Sequence, residues 1–159
     1  MRKVFLTLLI FPSFLIIKAN AYTFDNGAEL VIKKMWESFE KGDHKMFAET
    51  MAKDPEMISF GTDASERWEG WEALQKSVKE QFDAFDIKKV KRMKKNLKFS
   101  NSGEVAWFSE VVDWEFLIAG KEQVIEGVRY TGVMEKKDKQ WKIVQFHSSV
   151  GVSGQVIAY

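Results

Sequence analysis

From Ala28 the apolar positions recur at a helical period. Ala28, Ile32, Met35 and Phe39 stand at i, i+4, i+7 and i+11, on one face of a helix. Asp25 or Asn26 is placed to cap its first turn, and Gly42 to end it. Asp43 can cap a short second helix carrying Phe47 and Met51, which Asp54-Pro55 stops because a residue before proline avoids the α region. "MISFGTDASERWEG" then reads as two short extended runs around Asp63-Ala64-Ser65, a hairpin. After Gly70, Trp71, Leu74, Val78, Phe82 and Phe85 form a continuous helical stripe.

Beyond Asp86 the period changes from helical to extended. "EVAWFSEVVDWEFLIAG" is rich in β-branched and aromatic residues, as strands are. Gly120-Lys121 turns it into "EQVIEGVRYTGVMEK", and Asp138-Lys139 turns that into a last strand from Trp141. Such short turns imply antiparallel pairing. "IKKVKRMKKNLKFS" fits either period: Ile87, Val90, Met93 and Leu97 suit a helix, whereas Lys91, Met93, Lys95, Leu97 and Phe99 alternate. We read it as an edge strand, because the strands that follow need a partner. Its seven bases then form a solvated, aggregation-resistant edge, and no aromatic residue is interleaved from Lys88 to Lys98 to stack nucleobases. Helices followed by antiparallel strands make an α+β fold, with the helices on one face of a curved sheet. There is no internal repeat and no sign of a second domain.

The first 21 residues stand apart from this pattern. "MRKVFLTLLIFPSFLIIKANA" has basic residues Arg2 and Lys3, an apolar run from Val4 to Ile17, and small residues at Ala19 and Ala21, the pattern of a cleaved signal peptide. The run is shorter than the roughly 18–20 residues of a bilayer span. The expectation is cleavage after Ala21 and export, to the periplasm or the medium, leaving residues 22–159 as one domain with no membrane attachment. Residues 1–21 hold three bases and no acid, so their removal takes the formal charge from +1 to −2. That mixed charge gives no reason to expect a nucleic-acid partner. With no cysteine, the exported chain relies on its core and not on disulfides.

Three stretches, "GTDASERWEGWEAL", "GEVAWFSE" and "GVRYTGVMEKKDKQWKIVQFHSSVG", together resemble the SnoaL-like branch of the nuclear transport factor 2-like superfamily. The most specific part is Arg129-Tyr130-Thr131, a charged turn, Trp141, and then Val144 to Ser149. The association domain of calmodulin-dependent kinases ends in a similar way. The resemblance implies a strongly bent sheet wrapped around about three helices, a cone with an internal pocket, and dimers formed through the sheet. It implies no reaction, since the superfamily includes isomerases, cyclases, dehydratases and subunit adaptors. Its cyclases and ketosteroid isomerases use a positioned Asp or His as base. No Asp in this chain matches their motif, so that role is not carried over.

Strict alternation in the last strand puts Trp141, Ile143, Gln145, His147 and Ser149 on one face. One arrangement then brings Arg129, Gln145 and His147 to a common cavity, where they could orient a carboxylate or carbonyl. Equally, His147 and Arg129 could sit at the pocket mouth or on a dimer face. Glu110 interrupts the apolar stripe Ala106, Phe108, Val112, Trp114, Phe116 and Ile118. A carboxylate so placed is a candidate general base; otherwise a β-bulge rotates it to solvent or it pairs with Arg129 in a structural salt bridge. The catalytic candidates are His147 and Glu110, and the ligand-binding candidates are Arg129, Gln145, His147, Glu110, Trp68 and Trp71. The two tryptophans flank the start of the third helix and are placed to close one end of a cavity. With two histidines, no cysteine and no zinc motif, no metal site is expected, and nothing points to a cofactor.

The expected function is an exported, homodimeric binder of a small organic molecule. A cofactor-free acid–base enzyme (isomerase, cyclase or hydratase) and a pure assembly module are the alternatives. Intact-mass measurement of the exported protein should find Tyr22 at the N-terminus. Residues 1–21 retained in a membrane fraction would restore an uncleaved anchor.

Overall fold

The expected helical stripes are the ones that become buried. The computed structural model describes residues 26–154 and 157, so the signal peptide and the Asp25 cap lie outside the described residues. Helix α1 (Asn26–Lys41) buries Ala28, Ile32, Met35 and Phe39, together with Trp36 and Ser38. It ends at Gly42, whose φ of 61° is the left-handed conformation that glycine adopts without a Cβ penalty. There the Gly42 N–H donates to the Phe39 carbonyl at 3.3 Å and the Asp43 N–H to the Ser38 carbonyl at 2.9 Å, satisfying two orphan carbonyls. Asp43 at once opens α2 (His44–Thr50) by accepting from the Lys45 and Met46 N–H groups, each at 3.0 Å. The hairpin of β1 (Ile58–Phe60) and β2 (Arg67–Glu69) turns at Asp63–Ser65, where the Glu66 N–H donates to the Asp63 carbonyl at 3.0 Å. Helix α3 (Trp71–Ala84) buries Leu74 and Val78.

Four long strands follow: β3 (Asp86–Phe99), β4 (Val105–Ile118), β5 (Lys121–Lys137) and β6 (Gln140–Ser149). The lysine-rich segment is therefore a strand throughout, and it lies at the edge of the sheet. All strands join one sheet in the order β2-β1-β6-β5-β4-β3. Neighbours pair antiparallel except β1 and β6, which run parallel, with Phe60 beside His147. A second parallel bridge, Met51 to Ile143, ties the end of α2 to the same last strand.

The ladder slips at four points, in each of which two residues on one strand oppose one on its neighbour or an extra residue is inserted. These are Lys88 and Lys94-Lys95 in β3, Glu126-Gly127 in β5, and Val144 in β6. Such bulges bend a strand and reverse which face its later residues occupy. Gly127, at φ 70°, donates its N–H to Asp113 at 3.0 Å across the β5 bulge. Strand β4 carries no extra residue, so its even positions Ala106, Phe108, Glu110 and Val112 stay buried in one unbroken stripe. The sheet curls around α1 and α3, and the core fills its concave side.

Glu110 lies in that core, 3% exposed. Its Oε2 accepts from Arg92 Nε and from Trp36 Nε1, each at 2.9 Å, while its Oε1 pairs with Arg92 Nη2. The same Arg92 nitrogen reaches Glu29 at 3.2 Å. Burial works against the Arg92 charge, but the hydrogen bonds and negative charge of Glu110 and Glu29 more than offset it, and the guanidinium stays protonated. Two expectations change here. Arg92 is no part of the solvated edge, because the bulge after it lets Val90 and Arg92 turn inward, as Leu97 and Phe99 do beyond the bulge. Glu110 pairs with Arg92 and not with Arg129.

Breaking one side of a buried ion pair leaves the other side uncompensated and costs about 3–5 kcal/mol. Glu110→Ala should lose stability on that scale in urea unfolding. Glu110→Leu combined with Arg92→Met should recover much of the loss, since the pair is then removed as a unit. A loss below about 1 kcal/mol in the single variant would mean that the network adds little.

Candidate functional site

Between the concave sheet, Phe39 of α1, α3 and the β1–β2 hairpin lies a cavity of about 310 Å³. Its deep wall is apolar: Phe39, Val78, Phe85, Ile87, Trp114, Phe116, Ile125 and Phe146. The sheet contributes through inward positions of four strands, the helix α3 through Val78, Gln81 and its C-cap Phe85. Polar groups come chiefly from the hairpin, as Thr62, Asp63 and Glu66, joined by Gln81. The Gln81 amide donates to Glu66 Oε1 at 3.3 Å, while Glu66 Oε2 accepts from the Asp63 N–H at 3.1 Å and from Thr62 Oγ1 at 3.5 Å. Ser148 also faces the cavity and donates to the Phe60 carbonyl at 3.4 Å.

Tyr130 forms part of the floor. Its ring stacks with Phe146 at 5.3 Å and meets Trp36 edge-on at 4.7 Å, and its hydroxyl donates to Met35 Sδ at 3.3 Å. Burial, reinforced by the negative charge of Glu110, pushes the phenol well above the usual tyrosine range. At neutral pH it is a hydrogen-bond donor and not a phenolate. Trp114 lines the cavity too, and its Nε1–H is buried with no partner among the described residues.

Of the residues anticipated for this site, Trp68 lines the cavity, packed 6.2 Å from Phe146. Trp71 does not. Its ring stacks on Phe47 at 6.3 Å, with the Lys53 ammonium 6.0 Å from the ring centre. Glu110 is walled off behind Tyr130 and Trp36 with both oxygens occupied, and it is absent from the cavity lining. Arg129, Gln145 and His147 do come together, as the expected grouping requires, but on the outer face of the sheet. Arg129 pairs across to Ser149, Thr131 to His147 and Val133 to Gln145. Arg129 and His147 are exposed, and the His147 ring lies edge-on to Phe60 at 5.8 Å. The Val144 bulge is the cause. Trp141 and Ile143 point into the core before it, Phe146 and Ser148 after it, so Gln145 and His147 are turned away.

Glu66, Gln81, Ser148 and Tyr130 were not among the anticipated residues. Gln81 did leave a trace: it falls on the buried stripe of α3, three after Val78 and four before Phe85, as a lone polar residue on an apolar face. Among the described residues no group of three or more His, Cys, Asp or Glu is placed to hold a metal ion, and no helix is long and apolar enough to cross a membrane.

Several solved structures share this architecture. A protein from Xanthomonas campestris, assigned as a calcium/calmodulin-dependent protein kinase II association domain, superposes with a TM-score of 0.62 at 19% identity, over 79% of this chain and 87% of its own. A nuclear transport factor 2-like protein of unknown function from Pseudomonas putida gives 0.63 at 13% identity, over 76% and 82%. A dehydratase candidate of the nuclear transport factor 2-like family from Streptomyces avermitilis gives 0.65 at 12% identity, over 80% and 97%. At these identities the likeness establishes the fold alone. No curated protein matches the sequence. The model of the SnoaL-like domain matches residues 29–153, from the first turn of α1 to beyond the last strand, and the chain belongs to that family.

Proposed function

We infer that the protein is a container for a small organic molecule, held in the cone between α3, the hairpin and the concave sheet. The observation that carries this reading is the cavity: about 310 Å³, walled by aromatic and aliphatic side chains, with its polar groups gathered at the hairpin. Ligand sites have this composition, an apolar body with a few polar groups that fix orientation. The side chains considered for proton transfer favour a container over an enzyme, since Glu110 is tied to Arg92 and Trp36 and His147 lies outside the cavity. Export after loss of residues 1–21 remains part of the proposal, supported by the basic, apolar and small-residue order of that segment.

The second part of the proposal is a homodimer through the outer face of the sheet. Trp107 is 44% exposed and Phe60 39%, unusual for large aromatic residues. Between them the ladder places Val133 beside Trp107 and Gln145, and Thr131 beside His147. This is a broad, mildly apolar patch, and a second copy seated on it would give Arg129, Gln145 and His147 partners across the interface.

Two measurements test these readings. N-phenyl-1-naphthylamine, a neutral apolar dye, should gain fluorescence on binding, and Ile125→Trp, which fills the cavity, should weaken that binding about tenfold or more while the circular dichroism stays native. Equal binding by both proteins would place the dye elsewhere and remove the support for a container. Sedimentation at micromolar concentration should show a dimer, and Trp107→Lys should give a monomer that still binds the dye. A wild-type monomer would overturn the assembly reading.

A further inference from the structure

Charge around the cavity is distributed differently from charge over the chain. Bases and acids nearly balance in the sequence, 24 against 23. Yet the ionisable groups of the lining, apart from the phenol of Tyr130, are two carboxylates, Asp63 and Glu66, with no Lys, Arg or His among the described residues that form it. Glu66 contrasts with Glu110 in this respect. The partners it has, Gln81, Thr62 and the Asp63 N–H, are neutral donors at 3.1–3.5 Å, and no base pairs with it among the described residues. A carboxylate offers about four acceptor positions, so lone-pair capacity remains.

Its setting is also built. Glu66 and Trp68 both lie across Gly61, where an added Cβ would collide with the Glu66 carboxylate and with the Trp68 indole. Only the missing side chain of Gly61 lets carboxylate and indole adjoin in the cavity wall. An unneutralised carboxylate beside an aromatic ring, at the edge of an apolar chamber, is the pairing that recognises an ammonium group. The carboxylate supplies Coulomb attraction that partial desolvation strengthens, and the indole supplies cation–π attraction. A ligand carrying its own carboxylate would meet repulsion from Glu66 and Asp63.

We propose that the cavity takes molecules with an apolar body and a protonated amine head, the ammonium lying against Glu66 and Trp68 and the body reaching toward Phe116, Ile125 and Phe146. This deepens the container reading and rests on it.

Three probes with one naphthalene body separate the two: 1-naphthylmethanol, 1-naphthylmethylamine and 1-naphthoate, titrated by calorimetry into the full mature chain. The amine should bind about tenfold tighter than the alcohol, with the naphthoate weakest. Glu66→Gln should bring the amine to within about twofold of the alcohol, by weakening the amine far more than the alcohol. Raising ionic strength from about 0.01 M to 1 M should erode the amine's advantage and not the alcohol's binding. If Glu66→Gln disturbs the hairpin, Asp63→Asn and the salt series carry the test, each reducing the amine's advantage. Equal affinity for amine and alcohol, or an equal loss of both in Glu66→Gln, would overturn the head-group assignment and leave the container standing. Failure of all three probes to bind would remove both.

Discussion

A sheet that must close around two helices cannot stay in register. The concave side of this one has to accommodate α1 and α3 and still leave a chamber, and the curvature comes from bulges in β3, β5 and β6. Each bulge does two things at once. It bends the strand, and it exchanges the inner and outer residues beyond it. Strand β4, with no inserted residue, keeps one face throughout and acts as the straight reference against which its neighbours bend. The positions of Arg92, Ile125, Phe146 and Ser148 all follow from these exchanges.

Two glutamates of the interior, Glu110 and Glu66, differ in how they are partnered. Glu110 is neutralised by Arg92 and joined to Trp36, which links α1, β3 and β4 through one carboxylate. That site is a structural joint, and its negative charge adds to burial, the larger cause, in raising the Tyr130 phenol next to it. Among the described residues Glu66 accepts from neutral donors alone. The two carboxylates are told apart by whether an arginine reaches them.

Most of the fold was legible because it is written in local periods. The stripes of α1 and α3, the Asp43 cap, the hairpin and the order of the long strands all depend on residues a few positions apart. What depended on distant pairing was not. Nothing near Phe60 or His147 marks the parallel contact between β1 and β6. The bulge at Val144 carries no glycine to announce it, unlike the one at Gly127, and strict alternation therefore sent His147 to the wrong face. Arg92 was lost among lysines for the same reason, since the shift at Lys94-Lys95 separates its inward turn from that of Leu97. Glu110 was visible as a carboxylate in an apolar stripe. Its partner was not, because three-dimensional pairing left no periodic signature.

The parallel contact between β1 and β6 has a bearing on how the molecule forms. Among the described residues the hairpin that carries Glu66 and Trp68 joins the rest of the sheet through the last strand, Phe60 beside His147, with Met51 against Ile143 close by. Contacts separated by so much chain form late, because a long loop must close before they return any stabilisation. The helices and the β3–β4–β5 meander can assemble while the chain is still being delivered, but the chamber has no front wall until its C-terminal strand arrives. Closure of the chamber is thus tied to synthesis of β6, and a chain truncated before that strand would leave the hairpin without the strand it pairs with.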